Sequence, residues 1–136
     1  MLYSAISKII IMKINGKVTT GLQKAAFFLS QEVYVNGFIE NCGFKPYPGT
    51  LNVIVDESYL DEITEIQDSC QNIIKPQGDF GAVKYIEAVL NDEIKGAIVF
   101  PAKTTHKKNY LEFIAEVKLR DKLNLHDGDE VFLNLL

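Results

Sequence analysis

From residue 81 onward, hydrophobic residues fall into strand-length segments separated by short polar breaks, at 81–90, 95–100, 110–117 and 130–136. The third alternates cleanly. Leu111, Phe113 and Ala115 share one face, and Tyr110, Glu112, Ile114 and Glu116 the other, the period of a half-buried strand. Upstream, residues 6–18 read as an opening strand, with Asn15-Gly16 either a tight hairpin turn or a bulge. Residues 51–55 read as another strand. Segments this short and this closely spaced, with few long helices, predict an all-β chain, mainly β with short helices, closed into a six-stranded barrel.

The helical signals are minor. Residues 22–29 suggest a helical turn, and residues 31–41 a short helix with Val33, Phe38 and Ile39 inward. Residues 56–68 are acidic, with Leu60, Ile63 and Ile66 as an apolar stripe on a solvated helix or turn. Residues 119–125 form a short helix or turn, followed by a turn at Asp127-Gly128-Asp129.

A length of 136 residues fits one domain spanning 1–136, with no repeat or linker inside it. With 47% hydrophobic and 24% charged residues, the chain has the composition of a folded globule. No apolar run approaches the ~20 residues needed to cross a bilayer, so no membrane partner is expected. The first residues lack a secretory pattern, and a cytoplasmic location is expected. Cys42 and Cys70 lack a pairing motif and read as ordinary thiols. His106 and His126 are too few and isolated for a zinc site. Any metal would therefore sit on oxygen ligands.

The net charge of −4 argues against a general nucleic-acid binder. Residues 101–120 nevertheless carry five Lys/Arg against two Glu, a local +3 against −7 elsewhere. Such a segment suits a small anionic ligand better than a long polyanion, although, taken alone, a solvated surface loop is the better account of it.

No Walker motif is present, nor a Gly-rich kinase loop with its catalytic segment. Four loops remain that offer groups for phosphoryl transfer, which needs a phosphate cradle, a divalent ion and a held acceptor hydroxyl. The first, Thr19-Thr20-Gly21-Leu22-Gln23-Lys24, can present backbone N–H groups and a lysine to phosphates. In Gly49-Thr50-Leu51-Asn52, a hydroxyl and an amide oxygen stand at i and i+2, on one side of extended backbone. Two such neutral oxygens suit Mg²⁺ when phosphates and water complete its shell. The other two loops, Lys103-Thr104-Thr105-His106 and Lys118-Leu119-Arg120, add donors and positive charge. Taken singly, each has an ordinary structural reading: Thr50 and Asn52 as turn residues, Glu112 as an exposed strand residue, Thr104 as a turn hydroxyl, Tyr47 and Phe100 as core aromatics.

Three segments in order, Phe44-Lys45-Pro46-Tyr47-Pro48-Gly49-Thr50-Leu51-Asn52, Gly96-Ala97-Ile98-Val99-Phe100-Pro101-Ala102-Lys103-Thr104 and Val117-Lys118-Leu119-Arg120, resemble the archaeal CTP-dependent riboflavin kinases. The resemblance runs from about residue 13 to the C-terminus. It implies a cradle-loop barrel that transfers a phosphoryl group from CTP to the ribityl 5′-hydroxyl of riboflavin, giving FMN and CDP. By the same resemblance, Thr50 and Asn52 bind Mg²⁺, with Mn²⁺ or Zn²⁺ as substitutes, and Thr104 and Glu112 contact the flavin. The nucleotide is held by Gly21, Leu22, Gln23, Lys24, Ala25 and Ala26, together with Val117, Lys118, Leu119 and Arg120. In this picture Glu112 holds the acceptor hydroxyl and takes its proton. CTP and riboflavin are then the partners of a monomer or weak homodimer, with no nucleic acid.

The chain departs from the family pattern in two places. Gln23 and Ala25 stand where the nucleotide loop is typically glycine, which adds side-chain bulk near the phosphates, and Glu116 stands where proline is usual. These departures keep open a flavin- or nucleotide-binding sensor without catalysis. Residues 119–131 also resemble the end of AbrB-type DNA-binding domains, although a charge of −4 has the wrong sign for DNA.

Overall fold

In the computed structural model, which describes residues 12–21, 29–75, 78, 81–101 and 109–136, the strands close on themselves. They are β1 (Met12–Thr19), β2 (Leu51–Val55), β3 (Ile73–Ile74), β4 (Val83–Leu90), β5 (Ile94–Pro101), β6 (Tyr110–Ala115) and β7 (Glu130–Leu135). Among the described residues three α-helices accompany them: α1 (Glu32–Cys42), α2 (Leu60–Ser69) and α3 (Leu119–Lys122). The sheet runs β3-β4-β5-β6-β2-β1-β7, and β7 returns to pair with β4 from Ala88↔Leu135 to Leu90↔Leu133. All pairings are antiparallel. The six longer strands thus form the closed barrel expected from the alternation, and closure removes the exposed edges on which strands aggregate.

Alternation decides what lies inside. Ile14 and Val18, Leu51, Val53 and Val55, Leu111, Phe113 and Ala115, and Val131, Leu133 and Leu135 point inward and fill the barrel. Residues on the opposite parity meet a second apolar layer outside. There Tyr34 and Phe38 of α1 cover Ile74, Val83, Tyr85, Ala97, Val99 and Ile114. The Phe38 and Tyr85 rings meet edge to face at 5.8 Å. Burial under this lid pushes the Tyr85 phenol up to about 12, with the Cys42 thiol adding to the shift, so the contact carries no charge at neutral pH. Ile63 of α2 joins the barrel core, with Ile66 packed beside it, as their spacing predicts.

The structure corrects one part of the helix reading. Phe38 is inward, but Val33 and Ile39 are each 41% exposed, and Tyr34 takes the buried position instead. Tyr34 lies four residues before Phe38, on the same helical face, and its hydroxyl donates to the Gly81 carbonyl at 2.8 Å. Asn15-Gly16 forms no hairpin: β1 runs through it, with Gly16 paired to both Val55 and Val131. A tight turn instead joins β4 to β5, where Asn91 and Asp92 have φ of 52° and 56°. That is the φ signature of a type I′ turn, which Asn and Asp tolerate. Asn91 accepts from the Phe132 N–H at 2.9 Å and Asp92 from the Asn134 amide at 2.6 Å, tying the turn to β7.

The barrel is tightest where β5 crosses β6. A Cβ on Gly96 would overlap the Ile114 carbonyl oxygen and reach 2.7 Å from the Phe113 ring. Backbone cannot yield there as a side-chain tip could. Gly96→Ala is therefore expected to cost about 1–3 kcal/mol by overpacking. Urea denaturation of the variant measures this, and an unchanged midpoint would contradict the close approach.

Candidate active site

Strand register assembles the site. Thr19 of β1 pairs with Asn52 of β2, Asn52 with Glu112 of β6, and Glu112 with Val99 of β5. Directly paired residues share a face, so these four form a row across the outer wall of the barrel. The row is polar over β1, β2 and β6 and turns apolar at Val99, under the α1 layer. Thr50 lies two residues before Asn52 and on the same side, and its hydroxyl reaches Glu112 Oε1 at 3.4 Å. Asn52 is 6% exposed and Glu112 1%, so the expectation that Glu112 could be an exposed strand residue does not hold. Burying a carboxylate is costly unless hydrogen bonds or a cation offset it.

Gly21 closes this group from the β1 side. A Cβ there would overlap the Asn52 side-chain amide, so a larger residue would have to displace that side chain. A hydroxyl, an amide oxygen and a carboxylate on one face form a hard-oxygen set that fits a divalent ion such as Mg²⁺. Among the described residues no three or more His, Cys, Asp or Glu stand together so as to hold a metal ion, so an ion at this site would draw on the neutral oxygens.

Next to this group lies a cleft of about 250 Å³, lined by residues 47–51 and 117–120. The loop before β2 and the turn after β6 thus meet at one end of the barrel, where β1 also exits. Tyr47 is held on the rim by a 2.7 Å bond from its N–H to the Ala115 carbonyl and is 37% exposed, so it is not a core aromatic. Phe100, in contrast, packs against the barrel core. Glu116 is exposed and is not among the cleft-lining residues, so its carboxylate does not oppose an anion there. A larger groove of about 770 Å³ crosses the outer face of β1, β2 and β7, but its charges alternate, with Lys17 beside Asp56 and Glu130.

The comparisons with known proteins add the family. The model of the CTP-dependent riboflavin kinases, described as a domain of unknown function, DUF120, matches residues 18–135. The chain belongs to this family. A riboflavin kinase of Methanobrevibacter smithii is 72% identical over 120 residues, 88% of this chain and 97% of that one. Riboflavin kinases of Methanothermobacter thermautotrophicus and Methanosphaera stadtmanae are 43% and 40% identical over 116 and 129 residues, spanning 85% and 91% of this chain and 93% and 98% of theirs.

Of the residues that the family resemblance singles out, Thr50, Asn52, Glu112 and Gly21 come together in one group. Val117, Lys118, Leu119 and Arg120 line the adjoining cleft. Leu22, Gln23, Lys24, Ala25, Ala26 and Thr104 lie outside the described residues. One residue at this end of the barrel, Asp127, escaped the sequence reading as a site residue. Thr20 donates to Asp127 Oδ2 at 2.8 Å, and Arg120 Nη2 donates to Asp127 Oδ1 at 2.6 Å. These two hydrogen bonds, the one from Arg120 foremost, hold the Asp127 carboxyl below the usual carboxylate range. The sequence marked residue 127 only as a turn position.

Gly21→Ala tests the assembly directly. The added Cβ is expected to drive the Asn52 amide out of place and to destabilise the fold by about 1–3 kcal/mol. Unmoved Asn52 side-chain amide resonances in the variant's NMR spectrum would disprove the packing.

Proposed function

We propose that the chain phosphorylates riboflavin with CTP as donor, giving FMN and CDP. The observation that carries this reading is the meeting of Thr50, Asn52 and Glu112 beside the cleft lined by residues 117–120. Membership of the family supports riboflavin as acceptor, and the family's name supports CTP.

Thr50 and Asn52 would hold a divalent ion, Mg²⁺ in the first instance, which neutralises phosphate charge when bound. Lys118 and Arg120 add positive charge from the other side of the cleft and stabilise the charge that develops on the transferred group. The ribityl 5′-oxygen attacks the γ-phosphorus. The bond from that phosphorus to the β–γ bridging oxygen breaks, and CDP leaves. Glu112 accepts the hydroxyl proton. Because the transition state for phosphoryl transfer is loose, holding the hydroxyl in line is the larger part of that role. The buried position of Glu112 suits it: a carboxylate fixed in a strand keeps its direction, and it faces the same side as Thr50.

Riboflavin phosphorylation with each of CTP, ATP, GTP and UTP, with and without Mg²⁺, tests the proposal. FMN is expected with CTP and Mg²⁺, and its formation would also show that Gln23 and Ala25 are tolerated in the nucleotide loop. No FMN with any donor, from folded protein, would leave a ligand-binding module. Glu112→Gln is expected to lower kcat by about 10²–10⁴, the usual worth of a positioned general base. Full turnover in that variant would remove Glu112 from the mechanism. Asn52→Ala is expected to raise the Mg²⁺ concentration needed for half-maximal activity, read by titration after EDTA treatment, and an unaltered requirement would place the ion elsewhere.

A further inference from the structure

Building on this phosphotransferase reading, we infer that Asp127 is a positioning residue for the nucleotide, fixing Arg120 of the cleft and Thr20 at the β1 exit in one arrangement. Its two oxygens divide the work. Oδ1 accepts from Arg120 Nη2 and Oδ2 from Thr20 Oγ1. The same Nη2 also donates to the Thr19 carbonyl at 3.2 Å. One carboxylate therefore joins the start of the 21–26 loop to the 117–120 turn, the two segments assigned to the donor.

Stability does not account for the arrangement. The turn is already fastened to β1 by backbone: Val18 N–H donates to the Asp129 carbonyl at 2.9 Å and Gly128 N–H to the Val18 carbonyl at 2.8 Å. Asp129 braces the turn itself, accepting from the His126 N–H at 2.8 Å. The side chains of Arg120 and Asp127 are 35% and 57% exposed, and ion pairs that open to water add little to folding.

What the bridge fixes is direction. Arginine is a planar fork, and its orientation decides which edge meets an anion. Among the described residues, both hydrogen bonds of the Arg120 guanidinium come from Nη2. Nε and Nη1 make no hydrogen bond among the described residues, and Arg120 lines the cleft, so these donors remain for an anion there. Asp127 is not among the cleft-lining residues, so it acts through Arg120 and not on the donor. A long side chain already held in its bound orientation loses less entropy when the anion arrives.

The competing effect has the opposite sign. Asp127 partly neutralises Arg120, so its removal could strengthen attraction for phosphate. If orientation dominates, Asp127→Asn raises KM for CTP by about tenfold, with KM for riboflavin within about twofold of wild type. Asp129→Asn loosens the same turn without touching Arg120. It is expected to lower Tm while leaving KM for CTP near the wild-type value. The inference fails if Asp127→Asn leaves KM for CTP unchanged or lowers it, if both substrates weaken alike, or if Asp129→Asn reproduces the effect. Should Asp127→Asn not fold, Thr20→Ala removes the other partner of the carboxylate and is read by the same criteria. Calorimetric binding of CDP with MgCl₂ separates this inference from the catalytic reading. A wild-type protein that makes no FMN but binds CDP about tenfold more tightly than Asp127→Asn keeps the positioning role and loses the kinase reading. Equal affinity, or no CDP binding by the wild type, overturns the positioning role.

Discussion

Antiparallel register is the constraint on which the rest depends. Asn52 opposes Glu112 because Leu51 pairs with Phe113 and Val53 with Leu111, both pairs buried inside the barrel. A slip of one residue between β2 and β6 would turn the apolar set outward and drive Asn52 or Glu112 into the core. Desolvating an unpaired carboxylate there would cost several kcal/mol, so the slipped state is closed on energetic grounds. The hydrophobic effect thus aligns the polar residues indirectly. They stand together because their neighbours must be buried.

Closure by β7 extends this constraint around the ring. β7 pairs with β1 on one side and β4 on the other, and the turn before it grips the end of β1. The site lies at that end, where β1 and β6 finish and β2 and β7 begin. Irregular loops can meet there because the strands beneath them are held on both sides. The α1 layer covers the wall beyond Val99, which leaves the polar half of the row beside the loops.

Much of this was legible in the chain. Period-two alternation in residues 110–117 placed Glu112 opposite the core-facing residues, and i, i+2 spacing placed Thr50 beside Asn52. The family resemblance supplied the roles. What escaped was non-local or weakly signalled. Nothing in residues 20 and 127, 107 positions apart, announces that they share a hydrogen bond. The two-residue β3 carries no periodicity to detect. The helix of residues 32–42 misled because Val33 and Ile39 are more hydrophobic than Tyr34, yet the position facing the barrel wall went to the tyrosine, whose hydroxyl found the Gly81 carbonyl. The Asn91-Asp92 turn was readable from its residue types but was overlooked between two strong strands.

The alternation of β2 has a consequence for how such a protein can change. Leu51, Val53 and Val55 face the core and hold the fold, while Asn52, between them, faces the opposite way, toward Glu112. One strand therefore carries two sets of positions facing opposite ways, each answerable to a different selection. Substitutions at the outward set change the wall beside the cleft while the barrel interior stays as it is. Substitutions at the inward set can adjust thermal tolerance with the reacting groups left in place. Lineages living at very different temperatures could share one chemistry on this scaffold.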